Sequence, residues 1–549
     1  MQLHFWDRNP VWALEALAGA GMDPCGQCGS PPAPKAVKPC CGLDMGGGSV
    51  YIQLVWEPKM EIPAKASRQP TFDAVDRKPA KTGVLQIPAQ SPFQERYVLS
   101  NRWLVRADPD FHTPYSAYCV DTGETYRLSG IAFLILKILE QTCSTADELM
   151  SCLAPNGVAL EAGELAGFLT NLLQKNLIRG SETAPLPHLA RRPCPAICAP
   201  VPVTATPYEA EVHLTNACNL ACRHCAYDAG REIPNQLDTE GWLDVFDQFE
   251  TLRTCRAAIS GGEPLLYPEV NILLEHLTRK NIRIDLLTNG TLIDPVIAAY
   301  LSHPNFSTTV SLDGASEETH AILRGSTSFN RAIAGLKVLS DAGAALNITA
   351  PLHKRNLQEM EDIIRIGIRL HAKSVGFVVM DSIGRARNQK DLLLDPADID
   401  AIEKSVERLS AEYGNDTCIE FFNPSEPRYK DLSITGMGTN IYCPAGTTRV
   451  AIRSDGVLFP CVYAFDTDCF AMGSTRRESI EDIWLSKEWG LFRGGVQLGN
   501  LKACGSCKLA ETCTLKICRL RAYYAEGDFL GRPPGCRQLV SSTPGMSRI

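Results

Sequence analysis

Three cysteines spaced CxxxCxxC, at Cys218, Cys222 and Cys225, are the residues of this chain best suited to chemistry. They lie in NACNLACRHC, directly after the apolar run EVHLT, which predicts a loop at the C-terminal end of a strand. That is the end at which α/β barrels carry their active sites. Thiolates are soft ligands that suit iron–sulfur clusters. Three of them can hold three irons of a [4Fe–4S] cube and leave the fourth open to the amino and carboxylate groups of a methionine moiety. An electron passed to a sulfonium there breaks a carbon–sulfur bond and releases an alkyl radical, a task for a cofactor. The triplet by itself also fits a zinc knuckle with His213 or His224 as the fourth ligand.

The chain has 22 cysteines in 549 residues. Its start, MQLHFWDRNPVWALEALAGAG, lacks the basic-then-apolar layout of a secretion signal. Closely spaced cysteine groups in such a chain favour metal sites over disulfides. Of the eight cysteines in the C-terminal part, seven form a further group beside Cys469: Cys443, Cys461, Cys504, Cys507, Cys513, Cys518 and Cys536. Cys119, Cys143, Cys152, Cys255 and Cys418 read as ordinary buried thiols. Cys25/Cys28 and Cys40/Cys41 lie in a Pro- and Gly-rich stretch without nearby histidines, where a flexible extension is expected rather than a metal site.

These groups need elements to hold them. From residue 208, the strands EAEVHLT, RAAIS, RIDLLT, STTVSLD, LNIT and SVGFVVM alternate with amphipathic helices. That pattern predicts an α/β fold with a parallel sheet, a partial (β/α)6 barrel over 208–400. Six units are too few for a closed eight-stranded barrel. After a bridging segment, 401–440, a hairpin (TTRVAIRSDGVLFPC) turning at Asp455-Gly456 opens a separate domain over 441–540. The helix SIEDIWLSKEWGLF and the cysteine-dense segment follow it, and 541–549 is a tail. Upstream, 1–92 is an irregular extension and 183–207 a proline-rich linker. Between them, 93–182 reads as one winged-helix-like module. Its strands are RYVLSNRWLVRA and AYCVDTGETYRLS, with a turn at Asp121-Thr122-Gly123, and three short helices follow. Ser144 with Asp147 is expected to cap the second helix.

The order of motifs along 208–390 resembles the radical S-adenosylmethionine superfamily. SGGEP (260–264) follows the second strand, LLTNGT the third, and VSLDGA ends the fourth. The resemblance implies that Gly261, Gly262, Glu263 and Pro264 bind the methionyl amino group of S-adenosylmethionine. It places Asn289 and Asp313 in the cosubstrate site, with Ser311 and Arg324 as carboxylate partners. His224 takes the slot usually held by an aromatic that supports adenine. The seven C-terminal cysteines resemble the SPASM extension, which holds two auxiliary [4Fe–4S] clusters. That resemblance gives Cys504, Cys507, Cys513 and Cys536 to one cluster and Cys443, Cys461 and Cys518 to the other. The latter's fourth position is open, or filled by Cys469 or a substrate thiolate. Four residues separate Cys513 from Cys518 where the family has three. A zinc ribbon at Cys504/Cys507 is the plainer alternative.

TGETYRLSGIAFLILKILE and GFLTNLLQKNLI resemble the leader-binding domain of ribosomal-peptide biosynthesis, similar to the chaperone of pyrroloquinoline quinone assembly. The resemblance implies that a leader adds as a strand beside Glu124–Leu128 and packs on Gly163–Asn176. A DNA-binding winged helix would want a basic recognition helix, and EAGELAGFLTNLLQKN is acidic. The expected protein is a maturase that takes a hydrogen atom from a precursor peptide with a 5′-deoxyadenosyl radical. It then forms a thioether or a carbon–carbon cross-link, with a flavodoxin or ferredoxin as reductant. Two alternatives stand beside it. One is a formylglycine-type sulfatase maturase, or another cofactor-biosynthesis enzyme of the same radical and SPASM type; the sulfatase maturases carry Asp after the second extension cysteine, where this chain has Val462. A non-catalytic peptide carrier would use its clusters only structurally. The net charge of −8 is mild and points to neither nucleic acid nor membrane. No run of about 20 apolar residues suggests a membrane span, so a cytoplasmic protein is expected.

Overall fold

The computed structural model describes residues 96–108, 114–154, 158, 160–180, 203–380, 383–423, 440–441, 443–494, 496–507, 518–533 and 536. The extension 1–92, most of the linker 183–207, residues 424–439, Cys513 and the tail 541–549 lie outside them. Two compact units divide the described residues: 101–127 with 203–536, and 96–100 with 128–180.

In chain order the first elements are strands β1 (Tyr97–Leu99), β2 (Trp103–Ala107), β3 (Tyr115–Cys119) and β4 (Thr125–Arg127). Helices α1 (Gly130–Gln141), α2 (Ala146–Leu153) and α3 (Ala162–Gln174) and strand β5 (Ile178–Gly180) follow. The smaller unit holds β1 antiparallel to β5 beside the three helices, whose Ile135, Leu136, Leu139, Leu149, Leu165 and Leu169 are buried. The capping box of α2 belongs to Thr145 and Glu148, not to Ser144 and Asp147. Ser144 is committed to an antiparallel bridge with Tyr97, which moves the helix start on by one residue.

Strands β2, β3 and β4 form their own sheet, with Gly123 at φ +78° in the expected turn. By its contacts this sheet groups with the barrel rather than with α1–α3, although the periodicity reads 93–182 as one module. Buried Arg106 pairs with Asp108 at 2.9 Å and donates to the carbonyls of Thr206 and Arg253. Leu104, Tyr118 and Val120 share an apolar cluster with Cys255.

The larger unit continues with β6 (Glu209–Thr215), α4 (Thr239–Thr251), β7 (Arg256–Gly261), α5 (Val270–Thr278), β8 (Arg283–Thr288) and α6 (Pro295–Leu301). Next come β9 (Phe306–Ser311), α7 (Glu317–Arg324), α8 (Ser328–Asp341), β10 (Leu346–Leu352), α9 (Met360–Arg369), β11 (Ser374–Val379), α10 (Pro396–Tyr413) and β12 (Cys418–Phe422). Strands β6 to β12 are successively parallel. The six expected strands are therefore joined by a seventh, CIEFF, which is too short to stand out in the segment 401–440. Successive side chains point to opposite faces. Ala210, Val212 and Leu214 of β6 enter the apolar core with Trp242, Phe246 and Phe249 of α4. Glu209, Glu211, His213 and Thr215 are buried on the other, polar face.

The remaining elements are β13 (Asn440–Ile441), β14 (Arg449–Ile452), β15 (Val457–Phe459), β16 (Gly473–Ser474), α11 (Ile480–Leu485), α12 (Gly490–Arg493), β17 (Val496–Gln497) and α13 (Arg519–Glu526). Strand β14 pairs parallel with β6 and antiparallel with β15, so one ten-stranded sheet runs from β12 to β16 without closing. The expected hairpin forms, with Gly456 at φ +82°, but it prolongs the barrel sheet instead of starting its own. Arg449 locks that join, bonding Glu209 at 2.7 Å. The single helix expected at 479–492 breaks at Ser486, whose backbone is extended.

Candidate active site

The loop leaving β6 carries Cys218, Cys222 and Cys225, and all three line one cavity that opens to solvent. The loop is pinned at several points. Cys218 and Arg223 donate backbone bonds to Gly230 and Leu323, and Asn219 bonds both Asn289 and Thr291. The glycine pair at the end of β7 makes this approach possible. A Cβ at Gly261 would lie 2.2 Å from the Thr215 carbonyl oxygen, and one at Gly262 would lie 2.1 Å from that of Ala217. Gly261 also sits at φ +126°, where only glycine is at ease.

Of the other expected cosubstrate residues, His224, Gly261, Gly262, Asn289, Ser311 and Arg324 line the same cavity. Glu263, Pro264 and Asp313 stand behind the lining. The fully buried Glu263 carboxylate accepts from Leu265, Thr288 and Asn289, tying the end of β7 to that of β8. Pro264 is buried at the head of a short 3-10 turn. Asp313, also fully buried, accepts from Arg324 Nε at 2.7 Å and lies 3.5 Å from His224 Nε2. Burial pushes the Asp313 carboxyl up, but Arg324, His224 and His320 outweigh it and the net shift is downward. Burial drives His224 down to about 3, so its ring is neutral. Burial opposes the Arg324 charge, and Asp313 leads the groups that outweigh it.

Periodicity and motifs gave no hint of one further support. The segment after β11 latches the cysteine loop. The Arg385 backbone donates to Cys225 O at 2.9 Å, and its guanidinium reaches Cys222 O, Ala229 O and Asp228. A Cβ at Gly384 would sit 2.4 Å from the Cys225 carbonyl oxygen. Only the glycine–arginine pair itself could have signalled this, and it is too common a dipeptide to do so.

A second cavity is lined by Cys443, Cys461 and Cys518 with Phe492, Arg519 and Phe529. Cys469 is exposed and does not line it. Cys504 is buried, Cys507 and Cys536 are partly so, and Cys507 N bonds Cys504 O at 3.1 Å. Burial pushes Cys218 up to about 11 and Cys443 up to about 12, and raises Cys222 and Cys461 as well. Such thiols stay protonated until a cationic centre draws the proton off. Among the described residues no group of three His, Cys, Asp or Glu side chains converges as the ligands of a single ion would. Three soft ligands around an open cavity, with a glycine edge and a fixed guanidinium, suit a cluster bearing a small zwitterionic molecule. No described helix is long and apolar enough to cross a membrane.

Residues 212–366 match the family model of the radical SAM superfamily, and 443–514 that of the SPASM iron–sulfur cluster-binding domain. The AdoMet-dependent heme synthase of Methanosarcina barkeri is 30% identical over 338 residues, covering 59% of this chain and 94% of its own. The mycofactocin maturase MftC of Mycobacterium tuberculosis is 27% identical over 374 residues, covering 67% of this chain and 90% of its own. The crystal structure of Streptococcus suis SuiB bound to S-adenosylmethionine superposes with a TM-score of 0.60 at 16% identity, covering 80% of this chain and 99% of that one.

Proposed function

The chain belongs to the radical SAM superfamily, and from that premise we propose that it is a maturase of a ribosomally made peptide. Cys218, Cys222 and Cys225 would hold a [4Fe–4S] cluster, which would supply the reducing chemistry that converts S-adenosylmethionine into a hydrogen-abstracting radical. The protein's part is placement. The backbone at Gly261-Gly262 and the Asp313-held Arg324 orient the amino and carboxylate ends of the cosubstrate, with Ser311 beside them. Arg385 and Asn219 keep the cysteine loop from opening. Cys443, Cys461 and Cys518 would hold the nearer auxiliary cluster, and Cys504, Cys507, Cys513 and Cys536 the other.

The observation that carries the peptide reading is the outer edge of β4. Cys119 N donates to Glu124 O, so the next residues alternate outward, and Thr125 and Arg127 present their backbone groups to that edge. Among the described residues no strand pairs there. A leader can add as a further strand. SuiB has been crystallised with its precursor peptide, and the PqqA peptide cyclase of Xanthomonas euvesicatoria is named for a peptide substrate. A flavodoxin or ferredoxin supplies the electron.

The test is an anaerobic incubation with S-adenosylmethionine, dithionite and a synthetic leader-plus-core peptide encoded beside this chain. The expected product is a peptide lighter by two hydrogens, with a thioether to a core cysteine or a carbon–carbon link located by fragmentation. The 30% identical haem synthase supports a second reading, a tetrapyrrole substrate. Roughly two fifths of this chain has no counterpart in that relative, which weighs against it. Cosubstrate cleavage coupled to a haem precursor, with the peptide unchanged, would reverse the choice.

A further inference from the structure

Arg519 is 5% exposed, yet it lines the cavity of Cys443, Cys461 and Cys518. It is the first residue of α13, immediately after Cys518. Its Nε donates to Phe529 O at 2.8 Å, and its Nη2 to Gly531 O. These two carbonyls flank Leu530, which packs on Cys504 and Leu501 and is tied to that turn by the bond from Lys502 N. One guanidinium thus stands between the cavity of the nearer auxiliary site and the cysteine that opens the other. The carbonyls fix its position, and the carboxylates of Asp528 and Glu526 also act on its charge. Burial works against its charge and the net shift is downward, with Cys504 and then Cys518 the largest of the groups that work for it.

We propose that Arg519 is a positioning residue, a fixed cation shared by the two auxiliary cluster sites that makes each easier to reduce. The physical cause is Coulombic. Reduction adds one negative charge to a thiolate-ligated cluster, and a guanidinium held in a poorly screened interior stabilises that added charge. Net charge and local hydrogen bonding are among the levers that set iron–sulfur potentials. Lysine at the same place would keep the charge, and glutamine would keep much of the length without it. The inference rests on the reading of Cys443, Cys461, Cys504 and Cys518 as cluster ligands.

The experiment is a redox titration of the fully reconstituted chain, followed by electron paramagnetic resonance, for wild type, Arg519→Gln and Arg519→Lys. Arg519→Gln is expected to lower the reduced-to-oxidised ratio of the auxiliary clusters at least tenfold at a fixed solution potential, about 59 mV for a one-electron couple. Arg519→Lys should stay within a third of that shift. The cluster on Cys218, Cys222 and Cys225 should titrate unchanged in both. Identical auxiliary potentials in wild type and Arg519→Gln would overturn the proposal. Where Arg519→Gln loses iron, Arg519→Lys decides: a wild-type potential supports the proposal, and a tenfold shift despite the retained charge overturns it. A wild-type chain with no auxiliary signal at all overturns the cluster reading itself, which sets that failure apart from the others.

Discussion

At the scale of single residues, the cavity walls divide into thiols that the proposed function assigns to iron and groups that hold those thiols still. Anaerobically reconstituted protein is expected to carry about twelve irons, and Cys218, Cys222 and Cys225 replaced together by Ala about eight, because three thiolates hold each open cube. Iron analysis checks this, and S-adenosylmethionine cleavage should vanish in the same variant. Cys469→Ala should change neither iron content nor activity, since Cys469 is exposed and outside the second cavity. The buried Asp313–Arg324 pair gives a different readout. Arg324→Met strands a fully buried carboxylate and should destabilise the chain by about 3–5 kcal/mol. In an Asp313→Asn background the same change should cost far less, because no charge is left unpaired. Urea midpoints of the four proteins in that cycle measure the difference.

At the scale of elements, strand β6 connects the cluster loop to the rest of the molecule, and its inward residue His213 adds a pH dependence. The ring is wedged edge-on against Tyr227 and Phe465, at 4.4 and 4.7 Å between centroids. Burial drives its pKa down to about 3, against only partial relief from Glu211. A His depressed below its unfolded value of about 6.5 binds fewer protons folded than unfolded, so its stabilisation is complete above that pH and is lost as pH falls. Between pH 6.5 and 5 this one group should remove about 1.5 kcal/mol of stability. His213→Phe should flatten the fall in urea midpoint over that interval by a similar amount. An unchanged slope would show that other groups carry the acid sensitivity.

At the scale of the whole molecule, the small sheet β2–β3–β4 packs beside the start of β6 through Arg106, Leu104, Tyr118 and Val120, and in the proposed function its outer edge also takes the leader peptide. Deleting residues 1–182 would remove both, so loss of peptide modification there would be accompanied by a less stable barrel. Arg127→Pro separates them. Proline is tolerated on an edge strand whose N–H faces outward, and it removes one donor to the leader without disturbing the ladder to β3. Leader binding should weaken up to tenfold, about 1.4 kcal/mol, while the melting temperature and peptide-free S-adenosylmethionine cleavage hold. Fluorescence anisotropy of a labelled leader checks it, and equal affinities would move the docking surface elsewhere.

The sequence by itself determined what local spacing can encode. CxxxCxxC after an apolar strand marked a metal-binding loop, which the motifs that follow it narrowed to a cluster site, and the alternation of β6 to β11 with amphipathic helices specified a parallel half-barrel. SGGEP, with Gly261 at a φ open only to glycine, marked where a backbone must pass close. Tertiary structure decided which distant groups meet. It placed β14 beside β6 at a separation of 240 residues, as Arg449 to Glu209 shows. It also recruited CIEFF as a seventh strand, joined residues 101–127 to the barrel and latched the cysteine loop with Arg385. It brought Cys443, Cys461 and Cys518 to one cavity and left Cys469 out. The reason is physical: spacing and periodicity report the geometry of neighbours in the chain, over a few turns or one strand. Long-range pairing is settled by the apolar area that packing removes from water against the entropy of closing long loops, and no local pattern records that balance.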